Sequence, residues 1–263
     1  MKQELRLFFT ALQFYTRLPA PSWVGYNPED MNKATRYLPF IGWIVGSVSA
    51  VSLFLGMYCI NIPTGILLSM ISSILLTGAF HEDGFADACD GFGGGWTKEK
   101  ILEIMKDSRV GTYAVVSLML LLGLKFSLLH ALTELLPGQF PAILLVFVSA
   151  HALSRFMAVT MIFTHQYVRF TDDSKAKPVA EVGSKTTLFI AAIIAIIPLI
   201  SLFLLLNQPS LLLSLPILYG IKMLLARYFT KWIGGYTGDC LGTTQQVCEI
   251  GFYLFTALLW KFI

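Results

Sequence analysis

Residues 186–206, TTLFIAAIIAIIPLISLFLLL, run for 21 positions without a charged side chain. At about 1.5 Å per residue, a helix of this length covers the roughly 30 Å hydrocarbon core of a bilayer. Similar apolar stretches occupy about 38–58, 64–80, 111–133, 141–163 and 209–226, and a shorter one closes the chain at 250–262. Hydrophobic residues make up 56% of the 263, and only 13% are charged, against about 25% in ordinary soluble domains. An ordinary soluble fold is therefore excluded. The pattern predicts an all-α, polytopic membrane protein with six to seven segments, forming one integral-membrane unit over residues 1–263. The last run is short enough to be re-entrant or interfacial instead of spanning.

The opening MKQELRLFFTALQFYTRLPAP has a helical apolar pattern, with Leu5, Phe8, Phe9, Leu12 and Tyr15 or Thr16 on one side. Glu4 and Arg6 within it, and the absence of an A-x-A-like site, argue against a cleaved signal peptide. The expectation is an amphipathic helix lying at the membrane interface. Cys59, Cys89, Cys240 and Cys248 show neither CxxC pairing nor zinc-ligand spacing, so they read as small apolar fillers or free thiols.

Three tight connections, CINIPTG, ELLPGQFP and NQPS, carry the Pro, Gly and Asn that make neighbouring helices antiparallel, and none contains Lys or Arg. The opposite loops hold Lys33, Arg36, Lys98, Lys100, Lys106, Arg109, Arg169, Lys175, Lys177, Lys185, Arg227 and Lys231. By the positive-inside rule, these longer loops face the cytoplasm. Topology alone accounts for most of those charges and for the net charge of +3. No repeat, low-complexity tract or nucleic-acid motif is present, and no nucleic-acid partner is expected.

Against this apolar background, seven of the sixteen acidic residues fall between positions 82 and 107. In HEDGFADACDGFGGG, residues 81–95, Asp83, Asp87 and Asp90 stand at i, i+4 and i+7. At about 100° per residue they share an arc of roughly 60° on one helix face, while Glu82 points elsewhere. Solvation alone gives no reason to align three aspartates at a membrane boundary, where ionisable groups are costly. Such a face repels itself unless a cation occupies it, and oxygen-only ligands suit Mg²⁺ or Mn²⁺. Beyond a glycine turn at Gly91, Gly93, Gly94 and Gly95, Thr97 is placed to cap a short helix, KEKILEIMKDS, on which Glu99, Glu103 and Asp107 repeat. A carboxylate-held metal beside such a turn suits phosphoryl transfer, with Arg109 as a bidentate phosphate contact or simply an interfacial marker of the next span.

HEDGFADACDG followed by ILEIMKDSRVGTYA resembles the cobalamin synthase family, the adenosylcobinamide-GDP ribazoletransferases, with its H-x-D-G-x-A-D-x-x-D-G core and downstream E-I-M-x-D-S-R-x-G-T. The likeness extends to FYTRLPAP, RYLPFIGWIVG, Ser154–Arg155 and GGYTGDCLGTTQQ, and so covers nearly the whole chain. Phe85 stands where a leucine is common, an apolar exchange. The resemblance implies a multi-pass, Mg²⁺-requiring enzyme of the bacterial inner membrane. Its substrates would be adenosylcobinamide-GDP and α-ribazole or its 5′-phosphate, its product adenosylcobalamin or the 5′-phosphate, with release of GMP. A homo-oligomer is left open.

Combining the pattern with the resemblance assigns Asp83, Asp87 and Asp90 to metal and pyrophosphate engagement. Asp107 and Glu103 become further ligands or the base that receives the ribazole proton, and His81 is the other candidate base. Gly238 and Asp239, in the glycine-rich GGYTGDCLG loop, become a substrate or metal contact. Arg155, in mid-span beside His151 and Ser154, is expected to face the bundle interior and pair with a carboxylate or an anionic substrate group. Lys125 is expected to pair with a nearby polar group and Lys222 to snorkel. Two other classes share parts of the pattern. A CDP-alcohol phosphotransferase has D-x-x-D-G-x-x-A-R and then G-x-x-x-D-x-x-x-D; Gly94 and Gly95 stand at its Ala and Arg, and Glu99 and Glu103 at its second aspartates. A cation or proton transporter would place its carboxylates near the bilayer midplane, whereas these lie at a boundary beside a long loop.

Overall fold

The computed structural model describes residues 2–25, 27–168 and 184–262. Arg169, Lys175 and Lys177, counted above among the basic loop residues, lie outside the described residues. Eleven α-helices follow one another in the described chain, and no β-strand is present among the described residues. They are α1 (Lys2–Tyr15), α2 (Pro28–Ala34), α3 (Leu38–Cys59), α4 (Ile62–Thr77), α5 (Phe80–Gly94), α6 (Lys98–Ile104), α7 (Thr112–Leu135), α8 (Phe140–Thr164), α9 (Lys185–Leu206), α10 (Ser214–Ile233) and α11 (Gly238–Phe262).

Five described stretches are long and apolar enough to cross a membrane: Glu29–Cys59, which includes α3, then α7, α8, α9, and Pro209–Ile233, which includes α10. The bent pair α4 and α5 would make a sixth. The chain is thus a multi-pass helical membrane protein. Its arrangement inverts that of a soluble bundle. Leu55, Leu75, Leu120, Leu204 and Leu224 point outward and are exposed, while Glu82, Lys125, His151, Arg155 and Glu249 are buried. Lipid solvates the leucines, and the charges find partners inside.

Helix α8 is the pillar, buried along most of its length and packed by α3, α9, α10 and α11. Glycines set how closely it is approached: a Cβ on Gly42 of α3 would come within 2.5 Å of the His151 carbonyl oxygen. Trp43 ties the same helix to α9 by donating from Nε1 to the Ile194 carbonyl at 3.1 Å. The turn between α3 and α4 forms as its sequence requires. Asn61 caps α4 by accepting from the Thr64 N–H at 2.9 Å, and Pro63 lies in the first turn, where its missing N–H costs nothing.

The structure corrects four details of the sequence reading. The buried face of helix α1 is shifted from the expected one: Leu7 and Ala11 are buried along with Leu12 and Tyr15, Phe8 and Phe9 are half-buried against the core, and Leu5 is 47% exposed. Two ion pairs fasten the helix, Glu4 with Arg36 at 3.1 Å and Arg6 with Asp30 at 2.7 Å. The apolar segment read as 64–80 ends at Thr77, where Gly78 (φ 65°) and Ala79 (φ 57°), both left-handed, turn the chain by 88° into α5. Gly91, Gly93 and Gly94 do not form a turn but stay helical, because α5 is tightly overlain there: a Cβ on Gly91 would meet Met105 at 2.6 Å and one on Gly93 the Tyr113 ring at 2.5 Å. Finally, the C-terminal apolar run at 250–262 is the second half of the 25-residue α11, whose first turn contains the supposed loop residues Gly238 and Asp239.

Candidate active site

The 88° bend lays α5 across the end of the bundle instead of letting α4 continue. Phe80 meets the rings of Phe14 and Tyr15 at 5.6 and 5.7 Å, and His81 and Glu82 turn inward, away from the side that carries the aspartates. Asp83, Asp87 and Asp90 line one cavity of about 250 Å³. Its opposite wall comes from the connection between α6 and α7, with Met105, Lys106, Asp107, Ser108, Arg109 and Val110.

The wall is held by two devices. Thr97 caps α6 by accepting from the Lys100 N–H at 3.3 Å, and the helix buries Ile101 and Met105, so the segment after it folds back over α5. Asp90 then fixes the far end. Its Oδ2 accepts from the Gly111 N–H at 2.6 Å and its Oδ1 from the Ala114 N–H at 2.8 Å, so a carboxylate on α5 caps the N-terminus of α7. A Cβ on Gly111 would come within 2.6 Å of Asp90 Oδ1, which explains glycine at that place.

Helix α6 stops at Ile104, so Asp107 does not continue the face of Glu99 and Glu103. Asp107 lies in the cavity wall and is clasped by Arg109, which donates from its backbone N–H and Nε at 3.0 Å and from Nη2 at 2.5 Å. The Arg109 side chain, then its backbone N–H, hold the Asp107 carboxyl down at about 2, so it is ionised throughout the neutral range. Glu103 is outside the cavity, exposed and paired with Lys100 at 3.0 Å.

Asp239 approaches α5 from the side. A Cβ on Gly84 would lie 3.1 Å from its Cα, and one on Gly242 would lie 3.0 Å from the His81 carbonyl oxygen, so the α5–α11 crossing depends on paired small residues. Thr237 donates to Asp239 Oδ2 at 3.3 Å. Gly238 and Asp239 therefore adjoin the acidic helix without lining its cavity.

His81 and Arg155 are elsewhere. His81 is buried, and its charged neighbours are Arg155, Glu249, His151 and Lys125. Arg155 donates from Nη1 to the His151 carbonyl at 3.0 Å and lies 3.1 Å from its Nδ1, instead of meeting a carboxylate directly. Lys125 pairs with Glu249 on α11 at 2.5 Å, and the other Glu249 oxygen meets His151 at 3.1 Å and accepts from Gln245 at 2.7 Å. Glu82 joins the same interior by accepting from Gln246 at 3.0 Å.

Two groups escaped the sequence reading. Lys106, noted there only as a loop charge, lines the cavity. Glu249 is the hub of the buried network, and a lone carboxylate in QQVCEIGF, deep in an apolar tail, was the signal that could have found it.

For a metal, the donors are oxygens alone. Among the described residues no three His, Cys, Asp or Glu side chains converge as a protein-only cage. Mg²⁺ usually takes one or two protein carboxylates and completes its shell with water and substrate phosphate. Asp83 and Asp87, one turn apart on the cavity face, are two such carboxylates, and both oxygens of Asp90 accept backbone N–H bonds. The cavity thus joins carboxylates for a hard cation with Lys106 and Arg109 for an anion, an arrangement suited to phosphoryl transfer.

A family model described as cobalamin-5-phosphate synthase matches residues 7–257. A protein of Shewanella frigidimarina named adenosylcobinamide-GDP ribazoletransferase is 44% identical over 252 residues, 96% of this chain and 94% of its own. The proteins of the same name from Shewanella amazonensis and Shewanella oneidensis are 44% and 43% identical, covering 99% and 95% of this chain and 98% and 93% of theirs. No solved structure matches the chain.

Proposed function

The chain belongs to the cobalamin-5-phosphate synthase family, and from that membership we propose that it is an adenosylcobinamide-GDP ribazoletransferase. The observation that carries the reading is the near-complete, 43–44% identity to proteins of that name. In this reaction a hydroxyl of α-ribazole, or of its 5′-phosphate, attacks the phosphorus attached to cobinamide. A new P–O bond forms, the phosphoanhydride P–O bond breaks, the hydroxyl proton is transferred away, and GMP leaves with the electron pair.

Asp83 and Asp87 would hold Mg²⁺ against the pyrophosphate. The ion, when bound, supplies charge neutralisation and stabilises the leaving phosphate. Lys106 and Arg109, across the cavity, bind and orient the anionic substrate. Asp107 is a poor proton acceptor because Arg109 holds its carboxyl near 2; its work is to aim that guanidinium. His81 is buried away from the cavity lining, so it is not placed to accept the ribazole proton.

The test is direct. Purified protein in lipid, given Mg²⁺, adenosylcobinamide-GDP and α-ribazole, is expected to release GMP and form a corrinoid carrying the lower base in equal amounts. Folded protein that releases no GMP would overturn the reading.

We also place the cavity end in the cytoplasm of a bacterial inner membrane, supported by Lys98, Lys100, Lys106 and Arg109 around it and by Lys-free, Arg-free turns at the other end. Cys59, exposed at the opposite end of α3, is a built-in reporter. A membrane-impermeant maleimide is expected to label Cys59 in spheroplasts and to reach a Ser108→Cys variant only after permeabilisation. The reverse pattern would invert the topology.

A further inference from the structure

We propose that Arg17 is an anion-binding residue of this site, its guanidinium held at the break between α4 and α5 to take a phosphate oxygen of the nucleotide-activated substrate. The inference rests on the transferase reading above and adds a residue to it.

The segment after α1 is fastened down. Thr16 donates to the Leu12 carbonyl at 2.6 Å and accepts from the Leu18 N–H at 3.1 Å, while Arg17 donates its own N–H to the Leu76 carbonyl at 2.8 Å. The side chain therefore starts from the last turn of α4. It then lies against Gly78, where a Cβ would fall 2.1 Å from Arg17 Nε and 2.9 Å from Nη2. Glycine at 78 supplies both the left-handed turn and the room for a guanidinium.

A role in capping α4 does not account for this placement. Three of the last four carbonyls already have donors, Ala79 N–H to Ile74 at 2.9 Å, Gly78 N–H to Leu75 at 3.2 Å and Arg17's backbone to Leu76, and none of the four accepts from the guanidinium. Arg6, Arg36 and Arg109 each hold a carboxylate, to Asp30, Glu4 and Asp107. Arg17 is exposed, and among the described residues its guanidinium has neither an ion-pair partner nor a hydrogen-bond acceptor. Its fork of donors is thus positioned and available.

Direction ties it to the acidic face. Phe80 docks on Phe14 and Tyr15, so the first turn of α5 sits on the last turn of α1. On a helical wheel Asp83 and Asp87 lie within roughly 60° of Phe80, and Asp83 is only about 4.5 Å further along the axis. Arg17, two residues after Tyr15 and against Gly78, five residues before Asp83, thus sits beside the start of α5, outside the cavity lining and on the approach to the row of Asp83 and Asp87. A cation at the end of a carboxylate row suits a diphosphate ester that bridges a metal and a guanidinium, and a planar fork matches phosphate oxygens in pairs.

The experiment compares wild type with Arg17→Ala and Arg17→Lys, measuring KM for adenosylcobinamide-GDP and for α-ribazole separately, with thermal stability alongside. Arg17→Ala is expected to raise KM for the corrinoid nucleotide on the order of 10–100-fold and leave KM for α-ribazole unchanged. Arg17→Lys should recover part of the loss, because charge remains and the fork does not. Unchanged constants, or an equal loss for both substrates with a fall in Tm, would overturn the inference while the transferase reading stands. If wild type itself released no GMP, that reading would fail, and binding of GDP with Mg²⁺ to wild type and Arg17→Ala would still decide the anion site. Equal binding by the two would overturn it, and weaker binding by Arg17→Ala would support it.

Discussion

Asp83→Asn is expected to lower GMP release on the order of 100- to 1,000-fold, with Tm almost unchanged. The substitution keeps size and shape, and Asp83 is exposed on the cavity face, so folding loses little. What is lost is the negative charge that faces the cation. Asp90 provides the contrast on the same helix. Its carboxylate caps α7 through Gly111 and Ala114, so Asp90→Ala should cost about 1–2 kcal/mol of stability as well as activity. Rate assays over a Mg²⁺ titration, with thermal unfolding in parallel, separate the two. Full activity in Asp83→Asn would remove the α5 face from the chemistry, whatever the fate of the enzyme assignment.

The second large effect lies in the interior. Glu249→Leu should destabilise the bundle by about 3–5 kcal/mol, because it leaves the Lys125 ammonium buried without its counter-ion and His151 without its carboxylate. For a chain of this size that corresponds to a fall in Tm of roughly 10 °C. Lys125→Met combined with Glu249→Leu removes both charges and is expected to recover most of the loss. Two residues in contact do not behave additively, and the double variant measures their coupling. A Glu249→Leu protein as stable as wild type would show that the ion pair contributes nothing to holding α7, α8 and α11 together.

The two experiments address two distinct polar systems that the sequence did not separate. His81, Glu82 and Asp83 are consecutive, yet α5 turns the first two into the buried network and the third toward the cavity. A period of 3.6 residues distributes adjacent side chains around the helix, so membership of one motif says little about membership of one site. His81 reads as a candidate base from its place in HEDG, but its burial, with its backbone against Gly242 of α11, removes it from the cavity lining.

Helix type, the five long apolar stretches and the shared face of Asp83, Asp87 and Asp90 were all legible in local sequence. Each depends on a repeat or a length that one segment carries by itself: 21 uncharged residues for a span, and offsets of four and seven for an acidic stripe. Thr97 as a cap was legible for the same reason, since a cap bonds an N–H two or three residues away. Only the tertiary structure decided the 88° bend after Thr77, the capping of α7 by Asp90 21 residues before Gly111, the pairing of Lys125 with Glu249, and the nearness of Arg17 to Gly78. In each case the partners are distant in sequence, and what brings them together is the packing of whole helices: small residues permit close crossing, and buried charges must find one another because lipid offers them no other partner.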